Sequence, residues 1–179
     1  MGFVAPSIFD GMLMWGLIYI VPVLLCICFF IYGIVEENKA VKIASIILVC
    51  FMVCFSSYLW YETMELPSVQ EKTITVQAWQ PNTNVETNEF GQLTITNADQ
   101  LVLVSTDGET FQNTENFFFM KFETRDLLNN LKVGGTYKIK YYGWRNGFTS
   151  TFPNILEIEE VVDESNATST NNYFGTVIS

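Results

Sequence analysis

The chain has 179 residues, with 19 Asp and Glu, 9 Lys and Arg and no histidine, for a formal net charge of −10. The missing histidine excludes Ser–His and Cys–His nucleophile systems and every His-ligated metal site. The excess of acid opposes binding to phosphate backbones, which needs concentrated Lys and Arg, so no nucleic-acid partner is expected.

Charge is spread unevenly. Residues 11–35 and 43–61 contain no Asp, Glu, Lys or Arg. Each run matches the roughly 20 apolar residues that an α-helix needs to cross about 30 Å of hydrocarbon. The expected order is an N-terminal tail (1–10), transmembrane helix 11–35, a loop (36–42) and transmembrane helix 43–61. A buried hairpin in a soluble protein is the alternative, but two such runs exceed what a domain of this size can hide. The first run is too long for a signal peptide, and no Lys or Arg precedes it. Pro22 removes a helical N–H inside that run, which membrane helices tolerate when neighbours compensate.

The bases nearest the spans, Lys39 and Lys42, both lie in the loop. The positive-inside rule makes that loop cytoplasmic and places both termini outside, so the chain is expected to be multi-pass with an extracytoplasmic C-terminal domain. Trp15 and Tyr19 on the first span would meet Tyr58, Trp60 and Tyr61 on the second at the outer interface. All four cysteines (Cys26, Cys28, Cys50 and Cys54) fall inside the spans, where Cys is a small apolar filler. The alternative is a thiol pair at Cys50 and Cys54 for a soft metal or for oxidation. No metal or cofactor is expected.

A short polar stalk (62–71), stiffened at Pro67, leads to a β-domain (72–163). In "KTITVQAW" the apolar period is two, with Ile74, Val76 and Ala78 on one face. "PNTNVETNEFG" is a long turn and "QLTIT" a short strand. "QLVLVST" is a strand ended by the turn pair Asp107-Gly108. "TFQNTENFFFMKF" reads as a third strand region, with Phe117 and Phe119 alternating with Phe118 and Met120. "ETRDLLNNLK" is a helix with Thr124 as N-cap and Leu127, Leu128 and Leu131 on one face. It ends at Gly134-Gly135. "TYKIKYYGWR" is the clearest strand, with Tyr137, Ile139 and Tyr141 on one face and Lys138, Lys140 and Tyr142 on the other. "NILEIEEVV" follows Phe152-Pro153, with Leu156 and Ile158 inward and Glu157 and Glu159 outward. A single helix between the third and fourth strands of a five-stranded barrel is the order of the OB-fold. A small β-sandwich and an α+β roll are the rivals. The polar tail, 164–179, is expected to be disordered.

The densest stretch is "YYGWRNGFTSTFPN", residues 141–154. Asn146-Gly147 is a turn pair, Arg145 is placed to lie across an aromatic ring, and Trp144 and the phenylalanines would cap the barrel. The competing reading is an interaction surface of Tyr142, Trp144, Arg145, Phe148 and Phe152, residue types that dominate interface hot spots. "YYGWR" followed by "FPN", behind two N-terminal spans, resembles an uncharacterised family of small bacterial and phage-borne inner-membrane proteins. The resemblance covers Tyr137 to Glu159 and the general layout. It implies a bacterial membrane setting and no reaction.

No P-loop or dinucleotide loop is present. Of the acids, Glu157 and Glu159 share a strand face, and Asp107 and Glu109 flank a turn; solvated, edge-protecting charges are the plain reading. No catalytic residue is assigned, and Lys138, Lys140 and Arg145 form the only local basic group. The expected function is a non-enzymatic, membrane-anchored interaction module whose OB-like domain binds a protein partner or another copy of itself. The alternatives are a phage superinfection-exclusion protein and a glycan- or small-ligand-binding envelope module using Trp79, Trp144 and Tyr142.

Overall fold

Ser7 opens the first helix. Its Oγ accepts from the Asp10 N–H at 3.1 Å, and its hydroxyl donates to the Asp10 carboxylate at 2.6 Å. In the computed structural model, which describes residues 3–35, 39–82, 101–146 and 151–168, helix α1 (Ile8–Trp15) therefore begins inside the segment read as a tail. A π-helical turn, Gly16–Ile20, joins it to α2 (Val21–Val35). The second helix, α3 (Lys39–Trp60), runs on through a π turn, Tyr61–Glu65, and a 3₁₀ turn, Leu66–Ser68. Most of the segment read as a stalk is thus helical. Two helical runs, Phe9–Val35 and Lys39–Ser68, are long and apolar enough to cross a membrane.

Pro22 explains the π turn. It has no N–H to offer the Ile18 carbonyl, its partner one turn back. The Val21 N–H reaches the Gly16 carbonyl instead, in π register. The Ser56 hydroxyl, from α3, donates to Ile18 O at 2.7 Å. A serine on the neighbouring helix satisfies the acceptor that the proline orphans. At the other end of the pair, a side chain at Gly33 would come within 2.8 Å of Val41 Cγ1, so only glycine permits this approach. The Tyr19 and Trp60 rings lie 6.3 Å apart, and Trp15 is 5.6 Å from Tyr19. All four cysteines are free.

Residues 68–179 form the second unit. Its strands are β1 (Gln70–Pro81), β2 (Leu101–Ser105), β3 (Thr110–Gln112), β4 (Thr136–Tyr142) and β5 (Asn154–Asp163). They form a mixed five-stranded sheet with one helix, α4 (Thr124–Asn130), between β3 and β4. The order is β1-β2-β3-β5-β4, and β4 pairs with β1 to complete the circuit. All pairings are antiparallel except β3 with β5, which meet in parallel at Gln112 and Asn154.

Bulges make the circuit possible and explain where the period-two reading slips. The first half of β1 pairs with β4 and the second half with β2, with a register shift between Val76 and Ala78. The extra residue, Gln77, bends the strand and resets its faces. Ile74 and Val76 are buried as expected, but beyond the bulge the buried residue is Trp79 rather than Ala78. On β5, register shifts leave Leu156, Glu159 and Val162 without direct partners. Ile155 takes the core position expected for Leu156, while Ile158 packs against the core as expected.

The core joins Ile74, Val76, Leu103, Phe111, Tyr137 and Ile139 to Leu128 of α4 and to its C-cap residue Leu131. Trp79 Nε1 donates to Leu131 O at 3.0 Å, tying the end of α4 to β1. Glu123 is the cap residue of α4, not Thr124, which is buried in the first turn. Gly134 adopts φ +87°, and its N–H reaches Val76 O at 2.8 Å. The start of the tail is structured: Glu164 bonds Tyr137 and Lys132, and the Thr168 N–H bonds Val133 O. The "QLTIT" strand, most of the preceding turn, Phe148 and the rest of the tail lie outside the described residues.

Candidate functional site

The "YYGWR" corner is a structural hairpin in its described part. Asn146 and Thr151 form a β-bridge. Arg145 Nη1 donates to Asn146 O at 3.1 Å and Thr151 O at 3.0 Å, and the guanidinium lies 4.2 Å from the Phe152 ring centroid. Arg145 thus clamps both sides of the loop while its side chain remains exposed. Trp144 and Phe152 are half-buried. Tyr142, placed on the face of Lys138 and Lys140 by alternation, is buried. Trp79 is buried as well, so two of the three rings that would have served a glycan site are in the interior.

Tyr142 points instead to a site that the sequence reading missed. Its hydroxyl accepts from Asn116 Nδ2 at 2.7 Å and from Asn154 Nδ2 at 3.1 Å. Asn154 is buried, and all its side-chain polar capacity toward this side is used. Its Oδ1 accepts from the Thr114 N–H and from Lys121 Nζ, each at 3.0 Å, and its Nδ2 also donates to Thr114 O at 2.9 Å. Lys121 Nζ donates a further bond to Ile155 O. Beside this network Asn113 is fully buried, with Nδ2 on Thr124 O at 2.7 Å and Oδ1 without a hydrogen-bond partner.

The network holds a loop. Asn116 and Lys121 form a backbone bridge with bonds of 3.0 and 2.9 Å, and Asn116 Oδ1 accepts from the Phe118 and Phe119 N–H groups. This Asx-type turn replaces the expected strand from Phe117 to Met120. Met120 is driven to φ +53°, the only positive φ at a described non-glycine residue. Phe119 folds inward onto Tyr142, with ring centroids 4.4 Å apart. Phe117 and Met120 project outward and are 72% and 71% exposed, with Phe118 and Phe122 exposed beside them.

Lys121 is the inverse case, a base that is only 6% exposed. Burial moves its pKa down to about 7, against an opposing pull from the Glu115 carboxylate. The ammonium is turned away from the loop surface, where the exposed side chains between Glu115 and Glu123 are Phe117, Phe118, Met120 and Phe122. The signal in the sequence was the run "NFFFMKF": its aromatic density lacks polar alternation, and its first residue is an Asx-turn former.

The carboxylates weighed as catalysts are ion-paired. Glu157 pairs with Lys140 at 2.9 Å, and Glu159 with Lys138 at 2.7 Å. Lys138 also holds Glu71 at 2.6 Å, and these two carboxylates raise its pKa. Asp107 and Glu109 both hold Lys72, at 2.6 and 2.7 Å. Hydrogen bonds from Lys72 and then Ser105 bring Asp107 down to about 2. Two of the three members of the expected basic group, Lys138 and Lys140, are thus occupied by neighbouring acids.

Residues 111–179 match the model of a protein family of unknown function, DUF1523. The matched segment extends beyond Tyr137–Glu159 at both ends and contains every side chain of the Lys121 network. No curated protein and no solved structure matches the chain.

Proposed function

We propose that the chain is a non-enzymatic, membrane-anchored binding module, in which an OB-type barrel serves as the rigid mount for the 116–122 loop. The strand order β1-β2-β3-β5-β4, with a helix between β3 and β4, supports the OB reading. The two apolar helical runs support the anchor. Lys39 and Lys42 in the connecting loop support an orientation with the barrel outside the cytoplasm of a bacterial cell.

One observation carries the functional reading. Four large apolar side chains stand exposed on a loop that a buried polar network fixes in place. Apolar surface on a soluble domain is disfavoured unless something covers it, and a contiguous exposed patch marks a place where something does. The network costs stability, because it buries a lysine and the Asn154 amide to set the loop. A loop that only connected β3 to α4 would need neither. The protein partner or second copy expected from the sequence would then meet the module here rather than at Tyr142 and Trp144.

The test is a benzophenone amino acid incorporated at position 117 of the full chain in cell membranes, with position 161 as the control. Val161 is also apolar and exposed, but lies at the far part of β5. The module reading expects an adduct from 117, to protein or to lipid, well above that from 161. Equal or absent labelling at both positions would remove it.

A further inference from the structure

Three features locate the loop along the path of the chain. The helical run Lys39–Ser68 ends one residue, Val69, before β1 begins at Gln70. Inside the second unit, Ser68 Oγ accepts from the Gly143 N–H at 2.7 Å, and Gln70 pairs with Tyr141. Tyr142, between those two residues, bonds Asn116 and stacks on Phe119. The apolar loop therefore belongs to the part of the barrel that the chain reaches first on leaving the anchor.

The second apolar run ends at Tyr61. At about 1.5 Å per helical residue, Ser68 lies roughly 10 Å beyond the hydrocarbon edge, and less if the helix tilts. A headgroup layer is roughly 5–8 Å thick, so Ser68 lies near its outer edge when the helix tilts. Apolar side chains such as Phe bury at the boundary between this layer and the acyl chains in interfacial segments. The loop's own base is turned inward on Asn154 and Ile155, so nothing in its exposed face seeks an anionic headgroup, and Glu115 and Glu123 at its flanks repel one.

We infer that Phe117, Phe118, Met120 and Phe122 insert into the neutral lipid headgroup region of the membrane that anchors the chain, giving the barrel a second, non-covalent point of attachment. This rests on the binding-module reading and names its occupant as lipid. Such a contact fixes the orientation of the barrel over the bilayer, as interfacial apolar side chains do for monotopic proteins.

The test reconstitutes the full chain in phosphatidylcholine vesicles containing brominated acyl chains. It uses Phe117→Trp in a background with Trp15→Phe, Trp60→Phe and Trp144→Phe, which leaves the buried Trp79 as a constant. Insertion predicts blue-shifted emission from the new indole and loss of roughly half of it or more to bromine quenching, with weaker quenching when phosphatidylglycerol replaces much of the neutral lipid. Met120→Trp must give the same answer, which guards against a local fold defect at either position. Red-shifted emission without quenching in both variants overturns the inference. If position 117 then cross-links to protein in cells, the binding module stands with a protein occupant. If it cross-links to nothing, both readings fall.

Discussion

Strand β4 begins and ends on a tyrosine hydroxyl network, and the two networks do opposite things. At its start, Tyr137 is fully buried, and its hydroxyl donates to Glu164 at 2.8 Å and accepts from the Lys132 N–H at 3.0 Å. Lys132 also holds Glu164, at 3.2 Å. The charged groups there reach solvent and the apolar ones face the core. At its end, the Tyr142 hydroxyl accepts from two neutral amides, and behind them a lysine is buried while phenylalanines are exposed. The first region follows the ordinary partition of polar and apolar groups and stabilises the fold by closing the tail onto the barrel. The second inverts that partition. Inversion is unfavourable for folding, which is why the Tyr142 side, and not the Tyr137 side, is read as functional.

The largest effect expected from breaking the comparison is at Asn154. Its side chain joins Thr114, Lys121 and Tyr142, so Asn154→Ala takes both side-chain bonds from the Thr114 backbone. It also takes one bond each from the buried Lys121 ammonium, which keeps Ile155 O, and from the Tyr142 hydroxyl, which keeps Asn116 Nδ2. The expected loss is about 3–5 kcal/mol, read as faster hydrogen exchange across β4 and β5 in the micelle-solubilised chain. A loss below about 1 kcal/mol would mean that water already reaches the network.

The two networks also answer pH with opposite signs. Lys121 has a folded pKa of about 7 against an ordinary value of 10.5. Between those values the unfolded chain binds more protons than the folded one, so stability rises with pH through this window, and the full penalty is present below about pH 7. The rise is on the order of a few kcal/mol, and Lys121→Met is expected to flatten it. Tyr137 is pushed up to about 12, first by burial and then by its bond to Glu164. Above pH 10 the unfolded chain therefore loses a proton that the folded one keeps, and stability falls toward pH 12. Denaturant unfolding of wild type, Lys121→Met and Tyr137→Phe from pH 6 to 11 separates the two contributions.

A smaller effect is expected at the orthodox end. Tyr137→Phe removes one hydroxyl; Glu164 keeps its pairing with Lys132 Nζ, and the Lys132 N–H keeps Asn130 O. The expected cost is about 1 kcal/mol, with exchange at the Thr168 amide, bonded to Val133 O, rising more than exchange in the core. Equal acceleration everywhere would show that the tail is not closed locally by this network.

The same contrast explains what was legible in the sequence. Where burial follows alternation, as along Tyr137, Ile139 and Tyr141, the pattern gives the strand and the side chains that share a face. The Asp107-Gly108 turn and the α4 leucine face were also readable, because turn chemistry and helical spacing are local. Ala78 and Leu156 were misplaced because one bulge residue flips every later side chain, and bulges leave no mark in composition. Tyr142 was misread for the reason that makes it informative: buried amides recruit it inward. Lys121 was invisible, since a lysine in a strand-like run is taken as a solvated charge. Its burial depends on Asn154, far along the chain, and a contact of that range cannot be read from one segment.

The smallest stability effect is expected where the consequence for attachment is greatest. Phe117 and Met120 touch little of the barrel, so Phe117→Ser and Met120→Ser together are expected to change stability by no more than about 0.5 kcal/mol. Releasing Met120 from its positive φ does not follow from this change, because Asn116 and Lys121 still close the turn. Hydrogen exchange at the Phe118 and Lys121 amides should therefore match wild type. An outward apolar pair that supports the fold would give the contrary result, slower folding and faster exchange in β3 and α4. If stability is unchanged while labelling from a benzophenone at Phe122 falls, the loop's apolar face is maintained for its occupant and not for the core. The inverted end of β4 would then be a mount whose unfavourable burial of Lys121 is balanced by contacts made outside the chain.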